Sequence, residues 1–205
     1  MIASSLKLDG YNYNHKRIYR IYKKLNLQLN TRNNKKKKIP AREKIYQLAE
    51  KRNEIWSLDF MQTSIKSSRV RTINIIDEYN REALAIEANN SIPSTKVIDI
   101  LEKIINNQNR KPEAIRSDNG TEFTSREFAD WASKKKIDLL FIQPGKPYQN
   151  CYIERFNGTY RSEILNKYIF DSIDELQEIT DDWLIFYNNK RPHSSLGGLP
   201  PKRFK

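Results

Sequence analysis

Cysteine and long apolar runs are the features that this chain most conspicuously lacks. Its single cysteine, Cys151, excludes an intramolecular disulfide and is typical of a protein in a reducing compartment. No apolar run approaches the roughly 18 residues that a membrane-spanning helix requires. We therefore expect a soluble, unexported, cytoplasmic protein without a membrane partner, whose core depends on its aromatic and aliphatic residues.

Positive charge is abundant, and it is concentrated near the N-terminus. Residues 1–54 contain 15 Lys and Arg against 4 Asp and Glu, whereas residues 55–205 contain 22 against 21. A basic segment attracts polyanions because it releases their condensed counterions, so this distribution favours a nucleic acid as partner. A solvated basic tail is the alternative reading of a lysine run.

The N-terminal basic segment divides into a helix and a linker. Apolar residues recur at helical spacing from Asn14 to Leu29, and Asn14 can cap this helix. The segment predicts a partial helix-turn-helix-like unit over residues 1–30 and a basic linker over 31–54, because few residues precede the turn at Asp9-Gly10. The predicted DNA contacts here are Lys16, Arg17 and Arg20 on the helix and Lys35, Lys36, Lys37 and Lys38 in the linker.

Residues 55–205 have the pattern of an α/β domain with a mixed sheet. Apolar residues alternate from Ile55 to Met61, which predicts a strand with Trp56, Leu58 and Phe60 on one face and Asp59 on the other. Two more β-rich runs follow, and then helices alternate with two further strands before a pair of C-terminal helices. We therefore predict five strands covered by helices on both faces.

Three acidic residues stand out within this domain. Asp59 lies on the first predicted strand, Asp118 ends the fourth strand at an Asn119-Gly120 turn, and Glu154 lies on a helix. Carboxylates from separate elements can converge at the carboxyl end of a sheet, where their repulsion is usually compensated by a divalent cation. Two Mg²⁺ ions, or Mn²⁺ in their place, would then support phosphodiester chemistry. For Asp118 taken alone, Asp-Asn-Gly is also a common turn sequence.

Five ordered motifs carry a family resemblance. They are WSLDF, RSDNGTEF, FIQPGKPYQN, YIERFNGTYRSEIL and YNNKRPHSSLGGLPP. Together they closely resemble the catalytic subunit of bacterial insertion-sequence transposases of the retroviral-integrase-like type. The resemblance implies a ribonuclease H-like fold for residues 55–205, with an Mg²⁺-dependent catalytic site formed by Asp59, Asp118 and Glu154.

The resemblance also implies the reaction and its partners. The implied activity is metal-dependent cleavage and strand transfer of insertion-sequence ends, a polynucleotidyl transfer on double-stranded DNA by a homo-oligomer in the nucleoid. Family members usually have a fuller helix-turn-helix region, and this chain starts part-way into it. A shortened DNA-binding protein with an inert core that inhibits transposition is therefore an alternative, as is a stand-alone nuclease.

Several other residues have candidate roles beside the acidic set. The resemblance implies a basic residue seven positions after the glutamate, and Arg161 also falls on the helix face of Glu154. Asn119, Lys146 and Asn157 are further candidate DNA contacts, although turn chemistry and solvated charge explain them equally well. Gln149 and Asn150 can cap the glutamate helix or contact substrate. For His193 we favour a structural or DNA-packing role over metal ligation, because Mg²⁺ prefers oxygen ligands.

Overall fold

The computed structural model describes residues 1–27, 47–143 and 145–204. Five strands form one sheet, namely β1 (Ile55–Ile65), β2 (Ser68–Asp77), β3 (Ala83–Asn89), β4 (Ala114–Ser117) and β5 (Asp138–Phe141). Their order across the sheet is β3-β2-β1-β4-β5. The first three strands pair antiparallel as a meander, while β1 with β4 and β4 with β5 pair parallel. The predicted mixed sheet of five strands is confirmed.

Helices cover both faces of the sheet. They are α3 (Ser94–Gln108), α4 (Arg126–Lys135), α5 (Cys151–Tyr160) and α6 (Ile173–Asn189). One core lies between the sheet and α3 and α4, and it includes Trp56 and Leu58 of β1. The other core lies between the sheet and α5 and α6, and it includes Met61 of β1. Alternation along β1 therefore sends Asp59 to the same face as Met61, beneath α5.

Two short helices precede the sheet domain. They are α1 (Ile2–Leu8) and α2 (His15–Lys24), and the Asn14 side chain caps α2 by accepting a hydrogen bond from the Lys16 backbone N–H at 2.9 Å. Helix α2 has the predicted basic, amphipathic sequence, although none of its residues is buried. The linker lysines at positions 35–38 lie outside the described residues. Within the described ranges, no helix is long and apolar enough to cross a bilayer.

Helix α5 is held on the sheet by one apolar stripe. Ile153, Phe156 and Tyr160 are buried on it, and the Tyr160 hydroxyl lies 2.7 Å from the Thr180 hydroxyl of α6. After Tyr160 the chain continues through a wider helical turn, Arg161–Leu165, where the Asn166 N–H bonds the Arg161 carbonyl at 2.8 Å. The buried stripe determines which residues of α5 face the sheet edge and which face solvent.

Candidate active site

Asp59 is a largely buried carboxylate in the middle of β1. Its Oδ1 accepts a hydrogen bond from the Phe60 N–H at 2.8 Å, and its Oδ2 accepts one from Asn157 Nδ2 at 2.7 Å. The pKa of Asp59 is raised to about 6, chiefly by burial and also by the negative charges of Asp118 and Glu154, against the lowering effect of those two hydrogen bonds. Asp118 and Glu154 are therefore each close enough to Asp59 to disfavour its ionised form.

Asp118 lies level with Asp59 at the carboxyl end of the neighbouring strand. Ser57 pairs with Arg116 in the parallel β1–β4 ladder, so continuing the same register by two residues sets Asp59 beside Asp118. The Asp118 Oδ1 accepts the Gly120 N–H at 2.9 Å, which folds the turn back under the carboxylate. A Cβ at position 120 would lie only 2.9 Å from that same oxygen. A side chain at position 120 would therefore displace the Asp118 carboxylate.

The turn after Asp118 is braced from β2. Arg71 forms an ion pair with Glu122 at 2.6 Å, and its guanidinium lies 4.1 Å from the centroid of the Phe60 ring. Phe60 also stacks on Phe123, with ring centroids 5.0 Å apart. These contacts tie the turn to the two central strands, so the Asp118 carboxylate has a defined position relative to Asp59.

Glu154 lies in the first turn of α5, the helix that covers the Asp59 face of the sheet, and its side chain is exposed. Asn157, one turn later, links α5 to the sheet because it bonds Asp59 and also accepts from Asn74 Nδ2 of β2 at 2.6 Å. Arg161, on the same side of the helix as Glu154, donates to the Gln62 carbonyl of β1 at 3.5 Å. The Glu154 face of α5 therefore runs along β1.

Known proteins resemble this chain over most of its length. The family described as "Integrase core domain" matches residues 49–147 and 135–201. A protein of insertion element IS407 from Burkholderia multivorans is 36% identical over 96% of this chain and 70% of its own length. One of insertion element IS476 from Xanthomonas euvesicatoria is 36% identical over 97% of this chain and 57% of its own length.

This chain belongs to the integrase-core family of insertion-sequence transposases. It spans between about half and 70% of the length of these curated relatives. They include the transposase of element IS629 from Shigella sonnei, which is 25% identical over 75% of this chain and 52% of its own length. The predicted family is confirmed.

Solved structures confirm the ribonuclease H-like fold of this family member. The catalytic core domain of HTLV-2 integrase, in complex with magnesium, superposes with a TM-score of 0.60 at 21% identity, covering 74% of this chain and 95% of the other. A chain of the simian T-cell lymphotropic virus intasome gives a TM-score of 0.62 at 19% identity, covering 77% of this chain and 56% of that chain. At these identities the likeness concerns the fold alone.

A buried ion pair between Arg116 and Glu78, which the sequence patterns did not predict, lies in this integrase-core domain. Arg116 Nη1 bonds both carboxylate oxygens of Glu78, at 2.9 and 2.8 Å, and Nη2 bonds the Gln47 carbonyl at 2.6 Å. Ser57 donates a further hydrogen bond to Glu78. Burial raises the pKa of Glu78, and the Arg116 guanidinium opposes that rise.

Arg116 also reaches towards the start of α5. Its Nη1 lies 3.5 Å from the Gln149 carbonyl, just before the helix that bears Glu154. The pair therefore connects α5 with β4, the strand that Asp118 directly follows. Alternation along β4 was a signal for it, since Arg116 and Asp118 are two residues apart and share a face.

The predicted DNA contacts have different surroundings. Asn119 is exposed and donates to the Ile142 carbonyl at 3.0 Å, Lys146 is half-buried, and Arg161 is exposed. Asn157 is only 8% exposed, and both ends of its amide are bonded to protein. The three basic residues Lys16, Arg17 and Arg20 are exposed on α2.

Two capping predictions for α5 are wrong. The Gln149 side chain instead accepts the Gln143 N–H at 2.8 Å and closes the preceding loop. Asn150 stands at the helix start without a side-chain cap, and its buried Oδ1 has no hydrogen-bond partner. The short turn Pro147–Asn150 leads directly into the helix, so the backbone there is already satisfied in part by turn hydrogen bonds.

His193 packs as a neutral imidazole. Burial and the Arg191 charge lower its pKa to about 4, and its ring lies edge-on to Tyr187 at 4.8 Å between centroids. This agrees with the structural role favoured from the sequence.

The acidic residues fit a hard divalent cation by their chemistry. They offer carboxylate oxygens alone, and the raised pKa of Asp59 reflects a negative charge that a cation would compensate. Across residues 1–27, 47–143 and 145–204, however, no three His, Cys, Asp or Glu side chains already stand close enough to hold a metal ion. Since Glu154 is the exposed member, its side chain has the most freedom to move.

Proposed function

We propose that this chain is the catalytic part of a DNA transposase, which cleaves the ends of an insertion element and joins them to target DNA. The observation that supports the proposal is that the β1–β4 register continues to Asp59 and Asp118 side by side, while the charges of Asp118 and of Glu154 on α5 both raise the pKa of Asp59. A protein gains nothing in stability from such a cluster, so its presence favours a functional role.

Asp59, Asp118 and Glu154 would hold the metal. Mg²⁺, with Mn²⁺ as substitute, would supply activation of an attacking oxygen and stabilisation of a leaving oxygen. The HTLV-2 integrase core, which has the same fold, was solved in complex with magnesium. Because the exposed Glu154 completes the set, we expect the site to assemble fully only when the cation is present.

The neighbouring residues have positioning and binding roles in this proposal. Asn157 orients the Asp59 carboxylate through its 2.7 Å hydrogen bond, and Gly120 lets the turn close under Asp118. Losing a hydrogen bond that orients a metal-binding carboxylate typically lowers metal affinity or activity by about 10–100-fold. Arg161, Asn119 and Lys146 would contact the DNA backbone near the acidic residues.

The basic N-terminal segment would add affinity for duplex DNA. Lys16, Arg17 and Arg20 are exposed on α2, and Lys35, Lys36, Lys37 and Lys38 follow it in the sequence. Because joining requires two element ends to be held together, we infer at least a homodimer on DNA. The HTLV-2 integrase core was solved in both dimeric and trimeric forms.

A strand-transfer assay tests the proposal. The purified chain is mixed with a labelled duplex that ends in the terminal repeat flanking its gene, with target plasmid and with Mg²⁺ or Mn²⁺. We expect joined product from the wild type, and none from Asp118→Asn, which should still bind the duplex. Asp138→Asn is the matched control, since Asp138 is an exposed carboxylate at the start of the neighbouring strand β5.

Three other outcomes would count against the proposal. Hydrolysed ends without any joined product would indicate a stand-alone nuclease. A wild type that binds the repeat but neither cuts nor joins with either metal would favour an inert, inhibitory DNA-binding protein. Joining that persists in Asp118→Asn would show that the chemistry does not depend on the acidic residues.

A further inference from the structure

A second cleft lies on a different face of α5 from Glu154. It has a volume of about 600 Å³ and is bounded by α5, α6 and the segment that follows α6. Three arginines line it, Arg81 from the β2–β3 turn, Arg155 from α5 and Arg191 from the end of α6. We call this cleft the arginine pocket. None of the roles derived above uses it.

The arginine pocket has uncompensated positive charge. No carboxylate stands among the described residues that line it. Arg191 is neutralised by Glu163, which its guanidinium contacts at 2.9 and 3.1 Å. Arg81 and Arg155, by contrast, form no ion pair with any acidic residue in the described parts of the chain. Two guanidinium groups without an ion pair therefore line one cleft, although the charge of Arg81 also acts on Glu78, which is paired with Arg116.

The pocket is partly pre-organised for an anion. The Arg81 guanidinium stacks on Tyr152, 3.6 Å from the ring centroid, which holds its planar fork in place. Ser194 and Ser195, which carry hydroxyl groups, also line the cleft, whereas the Thr159 hydroxyl donates to the Arg155 carbonyl at 3.0 Å. Guanidinium forks and hydroxyl donors are the groups that recognise phosphate oxygens. Burial is the main cause of the low pKa of His193, to which Arg191 and Arg81 add while Glu163 opposes them.

The position of the pocket favours a phosphate within DNA. Arg155 follows Glu154 directly, so it points about 100° around the helix from the acidic site. An α-helix is about 10–12 Å across with its side chains, and one DNA strand advances about 3.4 Å per nucleotide. A strand bound at Glu154 would thus reach the pocket within a few nucleotides.

We propose that the arginine pocket binds a backbone phosphate of duplex DNA, a few nucleotides from the bond that reacts at the acidic site. This inference rests on the proposed function for its choice of ligand. Arg81 and Arg155 bind the phosphate oxygens, and Arg191, held by Glu163, forms the inner wall. The contact positions the duplex and is independent of base sequence.

Equilibrium binding without metal tests this inference. The affinity of the whole chain for a short labelled duplex is measured by fluorescence anisotropy in EDTA, from about 50 to 200 mM KCl. The variants are Arg155→Gln, Arg81→Gln and the double variant, with Arg81→Lys as the change that keeps the charge. Arg126→Gln is the control, because it removes the same charge from a side chain that is 95% exposed on α4.

We expect the double variant to bind about tenfold more weakly, as a lost charge-assisted hydrogen bond implies. The slope of log K against log salt should become shallower by about 1, for one lost phosphate contact. Arg126→Gln should change neither quantity appreciably. Thermal unfolding of each variant checks the fold, and the exposed Arg155 gives a variant that leaves the core intact.

Equal affinities and slopes for the double variant and Arg126→Gln would overturn the inference. So would a double variant that loses binding of inorganic phosphate, measured by calorimetry, while its DNA affinity is unchanged. A chain whose DNA affinity depends on the pocket but which never joins ends would refute the proposed function alone. A chain that joins ends but is indifferent to the pocket variants would refute the pocket alone.

Discussion

Replacing Asp59 with asparagine should stabilise the metal-free protein while removing its activity. Burial and the charges of Asp118 and Glu154 make the ionised Asp59 carboxylate costly in the folded state, and its pKa is raised from 3.8 to about 6. An amide of the same shape has no charge to bury. The substitution therefore separates the energetic cost of the acidic site from its chemical use.

The magnitude follows from the pKa of Asp59. Each pKa unit corresponds to 1.36 kcal/mol, so the rise to about 6 corresponds to about 3 kcal/mol of lost stability when the carboxylate is ionised. The penalty is absent below the unfolded-state pKa of 3.8. It develops as pH rises and is complete above the folded-state value of about 6.

The hydrogen bonds around Asp59 can adapt to the amide. The new Oδ1 can keep the Phe60 N–H, and its Nδ2 can donate to Asn157 if the Asn157 amide rotates by half a turn. Asn74 can rotate in the same way, because its buried Oδ1 has no partner and would then accept from Asn157. We therefore expect a net gain of about 2 kcal/mol, or roughly 4–8 °C in Tm.

Urea unfolding in EDTA at pH 8 and at pH 4 measures this effect. Asp59→Asn should be more stable than the wild type at pH 8, and the two should converge at pH 4, where a protonated carboxyl resembles the amide. Asp138→Asn, on an exposed strand position, should match the wild type at both pH values. A variant that is no more stable at pH 8, or whose advantage does not change with pH, would refute this account of the site.

Three further predictions concern the surroundings of the acidic residues. Gly120→Ala should lower strand transfer at least about tenfold, because its Cβ would lie 2.9 Å from Asp118 Oδ1. Gly158→Ala is the control, because a Cβ there meets no other atom and should stabilise α5 by about 0.5–1 kcal/mol. Equal effects of the two substitutions on joining would contradict the turn geometry. Glu78→Ala should cost about 3–5 kcal/mol in urea unfolding, because it leaves the buried Arg116 and Ser57 without their hydrogen-bond acceptor. The exposed Glu113→Ala should cost under about 1 kcal/mol, and a comparable small loss in both would argue against a buried pair. Mg²⁺ at ten times its Kd should add about 1.4 kcal/mol to the free energy of unfolding of the wild type, and much less to that of Asp118→Asn, in a thermal-shift assay. An equal shift in both would show that the ion binds elsewhere.

Local sequence patterns were sufficient to predict the strands and helices and to predict which side of each one is buried. Alternation along β1 predicted that Trp56 and Leu58 pack on one face and that Asp59 lies on the other, and the structure agrees. Helical spacing likewise predicted the buried stripe of α5 with Ile153 and Phe156. Such patterns are local because a side chain's direction depends on the period of its own strand or helix.

Contacts between distant segments could be decided only by the tertiary structure. The Arg116–Glu78 pair joins residues 38 positions apart, and the Asp59–Asn157–Asn74 hydrogen bonds join a helix to two strands. The arginine pocket similarly draws Arg81, Arg155 and Arg191 from three separate elements. The sequence by itself determined the acidic residue types, the elements that carry them and the family. How strongly those residues interact depends on burial and on neighbours from elsewhere in the chain, and these arise only when the sheet and its helices pack together.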